Sequence, residues 1–152
     1  MDKQEVYFYS AGHKLKGFWY PPKKKHGPKS PAVVCCHGFS AMIELQMVGI
    51  PEKLSEAGYG ALAFYCRGLG ESEGPRGRVL PMEQVEDVRN ALTYLQTRDD
   101  VDADRLGLFG SAWGCSIAVS AAAADKRAKC VVGTVGIGDV ERWLKSERPR
   151  WD

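Results

Sequence analysis

Histidine is scarce and unevenly placed: its three copies, His13, His26 and His37, fall in the first quarter of the chain. An imidazole base anywhere after residue 37 is therefore excluded within these 152 residues. Long apolar runs are also missing, and nothing approaches the length of a membrane-spanning helix. The opening Met-Asp-Lys-Gln-Glu lacks the apolar core of a secretory leader. The expected location is cytoplasmic. Five cysteines, an odd number with no C-x-x-C pair, argue against a disulfide framework or a zinc site. Neither metal nor cofactor is expected. A net charge of +2 gives no reason to invoke nucleic acid or an anionic membrane as partner. Internal repeats and low-complexity tracts are absent, and the length suits one domain.

What the chain does carry is concentrated between Leu106 and Ser120, Leu-Gly-Leu-Phe-Gly-Ser-Ala-Trp-Gly-Cys-Ser-Ile-Ala-Val-Ser. Arg105 to Phe109 reads as a short buried strand, and small helix formers follow Ala112. Gly110 and Gly114 bracket the junction with the spacing G-x-S-x-G of a nucleophile elbow, a strained turn from strand to helix. Glycine suits both places because the two backbones approach too closely for a β-carbon. The helix start behind the turn offers unpaired N–H groups to a developing oxyanion. The central position, where serine is usual, holds Ala112. The neighbouring Ser111 leaves the strand in another direction and reads as structural. Cys115, one turn into the helix, reads as packed.

Around this junction the pattern alternates strand and helix. Val6–Tyr9 and Leu15–Tyr20 predict an antiparallel hairpin around Ser10-Ala11-Gly12-His13. The loop from Pro21 to Pro31, with Lys23, Lys24, Lys25 and Lys29, reads as solvated. Ala32–Cys36 is apolar without alternation, as in a strand buried on both faces. Its Cys35 and Cys36 would face opposite ways as small buried hydrophobes. A helix is predicted over 44–57, with Met47, Ile50, Leu54 and Ala57 on one face, Pro51 as a kink and Gly58 as the stop. Gly60–Tyr65 is the next strand. A second helix over 82–97 carries the stripe Val85, Val88, Leu92 and Leu95, which is read as packing. Asp99–Asp104 reads as a polar turn, and Cys130–Val135 as one more buried strand. Alternation of this kind gives an α/β fold with a mostly parallel sheet.

Two further stretches, His37-Gly38-Phe39-Ser40 after a strand and Tyr65-Cys66-Arg67-Gly68-Leu69-Gly70-Glu71-Ser72-Glu73-Gly74, join the elbow in the same order as in the α/β-hydrolases. The chain resembles that family from about Val6 to Asp139, in the manner of esterases of the dienelactone-hydrolase and cinnamoyl-esterase kind. The resemblance implies a doubly wound, mostly parallel sheet of which residues 1–140 form the first six strands. It implies the start of a lid in 141–152, where Trp143, Leu144 and Trp151 sit among charged residues.

The activity implied is that of a serine hydrolase cleaving small-molecule carboxylic esters, or related acyl bonds, through an acyl-enzyme. Ala112 would occupy the nucleophile position, and the backbone N–H groups of Phe39 and Trp113 would form the oxyanion hole. Arg67, Glu71 and Ser72 would tie down the loop after the fourth strand. Alanine differs from serine by one oxygen, so Ala112 reads as an inactivating replacement that spares the turn. The family's acid and histidine are expected from a C-terminal half, as a continuing or separate chain. Asp139 is a weak candidate for the acid, and Asp125 and Glu141 weaker ones. His37 reads as structural, and His13 and His26 as solvated. The alternative is a non-catalytic relative that binds an acyl ligand or a protein; a third is a subunit that completes its sheet with another chain.

Overall fold

Ala11 and Gly12 both hold positive φ, 46° and 81°, the pairing that lets a two-residue turn follow the twist of its strands. They fold β1 (Gln4–Ser10) back along β2 (His13–Tyr20) with Ser10 opposite His13. A computed structural model of the chain describes residues 3–25, 27–39, 43, 47 and 49–146. His26 and Ser40 lie outside them. After the hairpin come β3 (Ser30–Cys36), α1 (Ile50–Glu56), β4 (Gly60–Phe64), α2 (Pro81–Gln96), β5 (Val101–Ser111), α3 (Trp113–Ala124), β6 (Ala128–Thr134) and α4 (Val140–Ser146). The sheet order is β1-β2-β4-β3-β5-β6. The hairpin joins β4 antiparallel, whereas β4, β3, β5 and β6 pair in parallel.

The sheet buries apolar side chains on both faces. On one, Leu62, Val34 and Leu108 meet Val85, Val88 and Leu92 of α2 and Ile117 and Ala121 of α3. On the other, Phe18, Ala61, Ala63 and Cys35 pack with Met47, Ile50 and Leu54. Cys35 and Cys36 fall in opposite clusters, as their adjacency in a strand demands. Burial pushes the Cys35 and Cys66 thiols up and that of Cys36 up to about 12, so all three pack as thiols. Among the described residues no helix is long and apolar enough to cross a membrane.

Three expectations change. The helix predicted over 44–57 begins at Ile50, because Gly49 takes φ 75° and cannot continue a right-handed helix. Pro51 sits in the first turn, where its missing N–H costs nothing, rather than at a kink; residues 44–46 and 48 lie outside the description. The turn predicted over 99–104 gives way at Val101 to β5, which reaches back to pair with Ser30. Finally, β6 is not buried. It is the last strand of the described sheet, and Val131 and Val132 are exposed. Cys115 of α3 lies against Gly133, yet the apolar run that reads as a core strand keeps Val131 and Val132 open to solvent.

Candidate active site

The backbone is strained at the turn between β5 and α3. Ala112 stands at φ 51°, ψ −120°, a region that a residue with a β-carbon seldom occupies. Its N–H donates to the Thr134 carbonyl at 2.9 Å, so β6 pairing persists up to the turn, and its carbonyl accepts the Cys115 N–H at 3.0 Å. The flanking glycines are required by space. A β-carbon on Gly110 would come within 2.3 Å of the Gly114 carbonyl oxygen. One on Gly114 would come within 2.2 Å of the Cys36 carbonyl oxygen and 2.4 Å of that of His37. This second contact seats α3 on the end of β3, where the His37-Gly38-Phe39 turn begins.

Phe39 is thereby brought to Trp113. Their rings meet edge-on, with centroids 5.5 Å apart at 84°. Phe39 is exposed and Trp113 buried. Trp113 opens α3, so its backbone N–H has no partner within the helix. Ala112 borders an open depression of about 750 Å³, walled by segment 135–139 and by Arg142 and Trp143 of α4. The Ser116 hydroxyl donates to the Ile137 carbonyl, and Cys115 lies against Gly133 and Gly136, so both side chains serve packing of that wall. Ser111 is a β5 residue paired with Thr134.

Of the histidines, His13 and His37 are among the described residues. His13 opens β2 beside the hairpin turn. His37 is buried, with Nδ1 2.7 Å from the Gly38 carbonyl and Nε2 3.4 Å from the Cys66 N–H. One neutral tautomer satisfies both contacts, donating from Nδ1 and accepting at Nε2. Burial lowers its pKa against the opposing pull of the Gly38 carbonyl and Asp87. Of the acidic residues named from the sequence, Asp139 lies on the wall of the depression that Ala112 borders. Asp139 accepts the Arg142 N–H at 2.9 Å as a cap of α4. Asp125, at the far end of α3, is held by Arg127 and Arg89, and its pKa falls to about 2, chiefly through the Arg127 hydrogen bond against the cost of burial. Glu141 pairs with Lys145.

The segment after β4 is fixed as anticipated. Ser72 Oγ accepts the Lys16 N–H at 2.9 Å and donates to the Tyr65 carbonyl at 2.7 Å, and Glu71 pairs with Lys16. Arg67 is buried against Asp87, with a 2.6 Å contact from Nη2 to Oδ1. The sequence reading missed Asp87 and Gln84. Both lie on the buried side of α2, where Gln84 Oε1 accepts the Trp113 indole N–H at 2.6 Å. Their spacing from Val88 and Ala91 places two polar residues on an apolar stripe, which was the available signal.

Comparison with known proteins agrees with this geometry. Residues 31–150 match a family described as alpha/beta hydrolase fold. The chain belongs to that family. It is 35% identical over 111 residues to an uncharacterized 31.7 kDa protein in the traX-finO intergenic region of Escherichia coli, covering 73% of this chain and 39% of that one. It is 33% identical over 132 residues to a thiohydrolase of Eupenicillium brefeldianum, covering 86% and 42%. The solved alpha/beta hydrolase GrgF from Penicillium sp. sh18 superposes with a TM-score of 0.84 at 25% identity, covering 95% of this chain and 51% of that one. The chain thus spans about two-fifths of the length of the two curated relatives it matches.

Proposed function

We propose that the chain carries the nucleophile-bearing part of an acyl hydrolase acting on carboxylic esters or thioesters. Position 112 is the nucleophile position, here alanine. The observation that carries this reading is Ala112 at φ 51°, ψ −120° on the border of the depression. With serine there, Oγ attacks the substrate carbonyl carbon and the carbonyl oxygen takes the negative charge. The N–H groups of Trp113 and Phe39 donate hydrogen bonds to that oxyanion while a base holds the Oγ proton. The carbonyl then re-forms as the alkoxide or thiolate departs with that proton, and water releases the acyl group by the same steps in reverse. Thioesters enter the substrate class through the thiohydrolase relative.

The base and acid are assigned to a further segment, in the same chain or another, that extends the sheet beyond β6. Two observations support this: both ring nitrogens of His37 are engaged, and β6 presents Val131 and Val132 to solvent. A strand left in that state is uncommon in natural proteins. A second reading, a non-catalytic acyl-binding protein, is favoured by Ala112 itself. Ala112→Ser in the whole protein decides between them. On chromogenic short-chain esters and thioesters the serine form should exceed the alanine form by on the order of 10⁴-fold. An inert serine form that still binds the acyl ligand would establish the binding protein.

A further inference from the structure

We propose that Gln84 is a positioning residue for the backbone donors of the site, an inference that rests on the reading of Phe39 and Trp113 as those donors. Gln84 is 3% exposed on α2 and faces α3. The indole of Trp113 is a donor only, so the amide must turn its oxygen toward it, and the 2.6 Å contact fixes both groups. An apolar residue would fill the same space without the cost of burying an amide. What the amide supplies is direction.

That direction reaches the site along a short path. Trp113 follows the strained Ala112 and opens α3, so the residue whose indole Gln84 anchors also bears the first N–H of that helix. The indole in turn meets the exposed Phe39 ring edge-on. One hydrogen bond from α2 therefore holds the residue that bears one donor, and through its ring the residue that bears the other. Gln84 touches no reacting atom.

The test compares Gln84→Met, which keeps the shape without the acceptor, with Gln84→Glu, which keeps the acceptor. In the whole protein with Ala112 in place, ¹H–¹⁵N spectra of Gln84→Met should show the Trp113 indole resonance moved upfield and the backbone amides of Trp113 and Phe39 displaced. Gln84→Glu should return the amides toward their parental positions. An unmoved indole, or a moved indole with both amides unmoved, overturns the proposal. In the Ala112→Ser background Gln84→Met should lower kcat about tenfold and leave KM within about twofold, with Gln84→Glu recovering most of the loss. Unchanged kcat in an active serine form also overturns it. If the serine form is inert, the hydrolase reading falls, and the amide shifts alone decide the role of Gln84.

Discussion

Asp87 is fully buried, and its carboxylate accepts four hydrogen bonds. Oδ1 takes the Ser10 hydroxyl at 2.6 Å and Arg67 Nε and Nη2 at 2.9 and 2.6 Å; Oδ2 takes the Arg67 N–H at 2.9 Å. Asn90 adds a 2.8 Å bond to Ser10 Oγ, and half-exposed Glu86 adds one of 2.7 Å to Arg67. The cluster ties the end of β1 and the segment after β4 to α2. Asp87→Ala leaves the buried Arg67 guanidinium with only Glu86 as a counter-charge. Breaking a buried pair from one side costs about 3–5 kcal/mol, a large share of the roughly 5–15 kcal/mol that holds a typical domain. Asp87→Asn keeps acceptor oxygen but not charge and should cost less. Replacing both partners, Arg67→Met with Asp87→Leu, removes the stranded charge and should cost less than Asp87→Ala alone. Urea unfolding of the whole protein, followed by far-UV circular dichroism, measures all of these. The reasoning fails if Asp87→Ala lies within about 1 kcal/mol of the parent, or if the double variant costs as much as the two single changes added.

Two shorter expectations follow. Gly114→Ala drives a β-carbon into the Cys36 and His37 carbonyl oxygens, neither of which can rotate away; a loss of about 3 kcal/mol is expected in the same urea assay, and a neutral outcome would contradict the seating of α3 on β3. On acidification the unfolded chain takes up protons at His37 below its ordinary pKa of about 6.5, and at Asp125 below about 3.9, while both pKa values are lower in the folded state. The unfolded state then binds more protons, so stability present above each ordinary value is lost as pH falls through the folded one. Asp125, dropping to about 2, accounts for on the order of 2 kcal/mol of this, which Asp125→Asn should remove from the slope between pH about 4 and about 2.

Where one physical constraint decided the outcome, the sequence was a good guide. The spacing of Gly110 and Gly114 announced a turn too tight for β-carbons, and both glycines lie within 2.3 Å of backbone oxygens when extended by one carbon. The apolar stripe of Val85, Val88, Leu92 and Leu95 is buried as its period requires. Reading failed where composition is ambiguous between contexts. The run Cys-Val-Val in β6 carries the signature of an interior strand, yet burial depends on neighbours that a local pattern does not contain. Val101-Asp-Ala-Asp looks like a turn because its carboxylates are hydrophilic, but Asp102 pairs with Arg105 while Val101 pairs with Ser30 of β3. Gln84 and Asp87 were passed over because periodicity counts apolar residues, and a polar residue buried among them registers as noise.

The strain in this chain is not spread evenly. Among the described residues, three other than glycine hold positive φ: Ala11, Ala112 and Val135. Ala11 is accounted for by the hairpin turn. The other two border the same depression, Ala112 at the end of β5 and Val135 just past the end of β6. For a β-branched residue such as Val135 this conformation is an outlier, with a cost of order 1–3 kcal/mol. Glycine would relieve either position at once, and the chain uses glycine at 110, 114, 133, 136 and 138 in the same neighbourhood. Side chains at 112 and 135 are thus held under strain where the backbone alone would favour none. Parallel neighbouring strands end together at such a place and deliver their following residues to one opening, which is where α/β sheets bind ligands. The inference runs from observed strain to function, and it falls on the opening where the proposed nucleophile position stands.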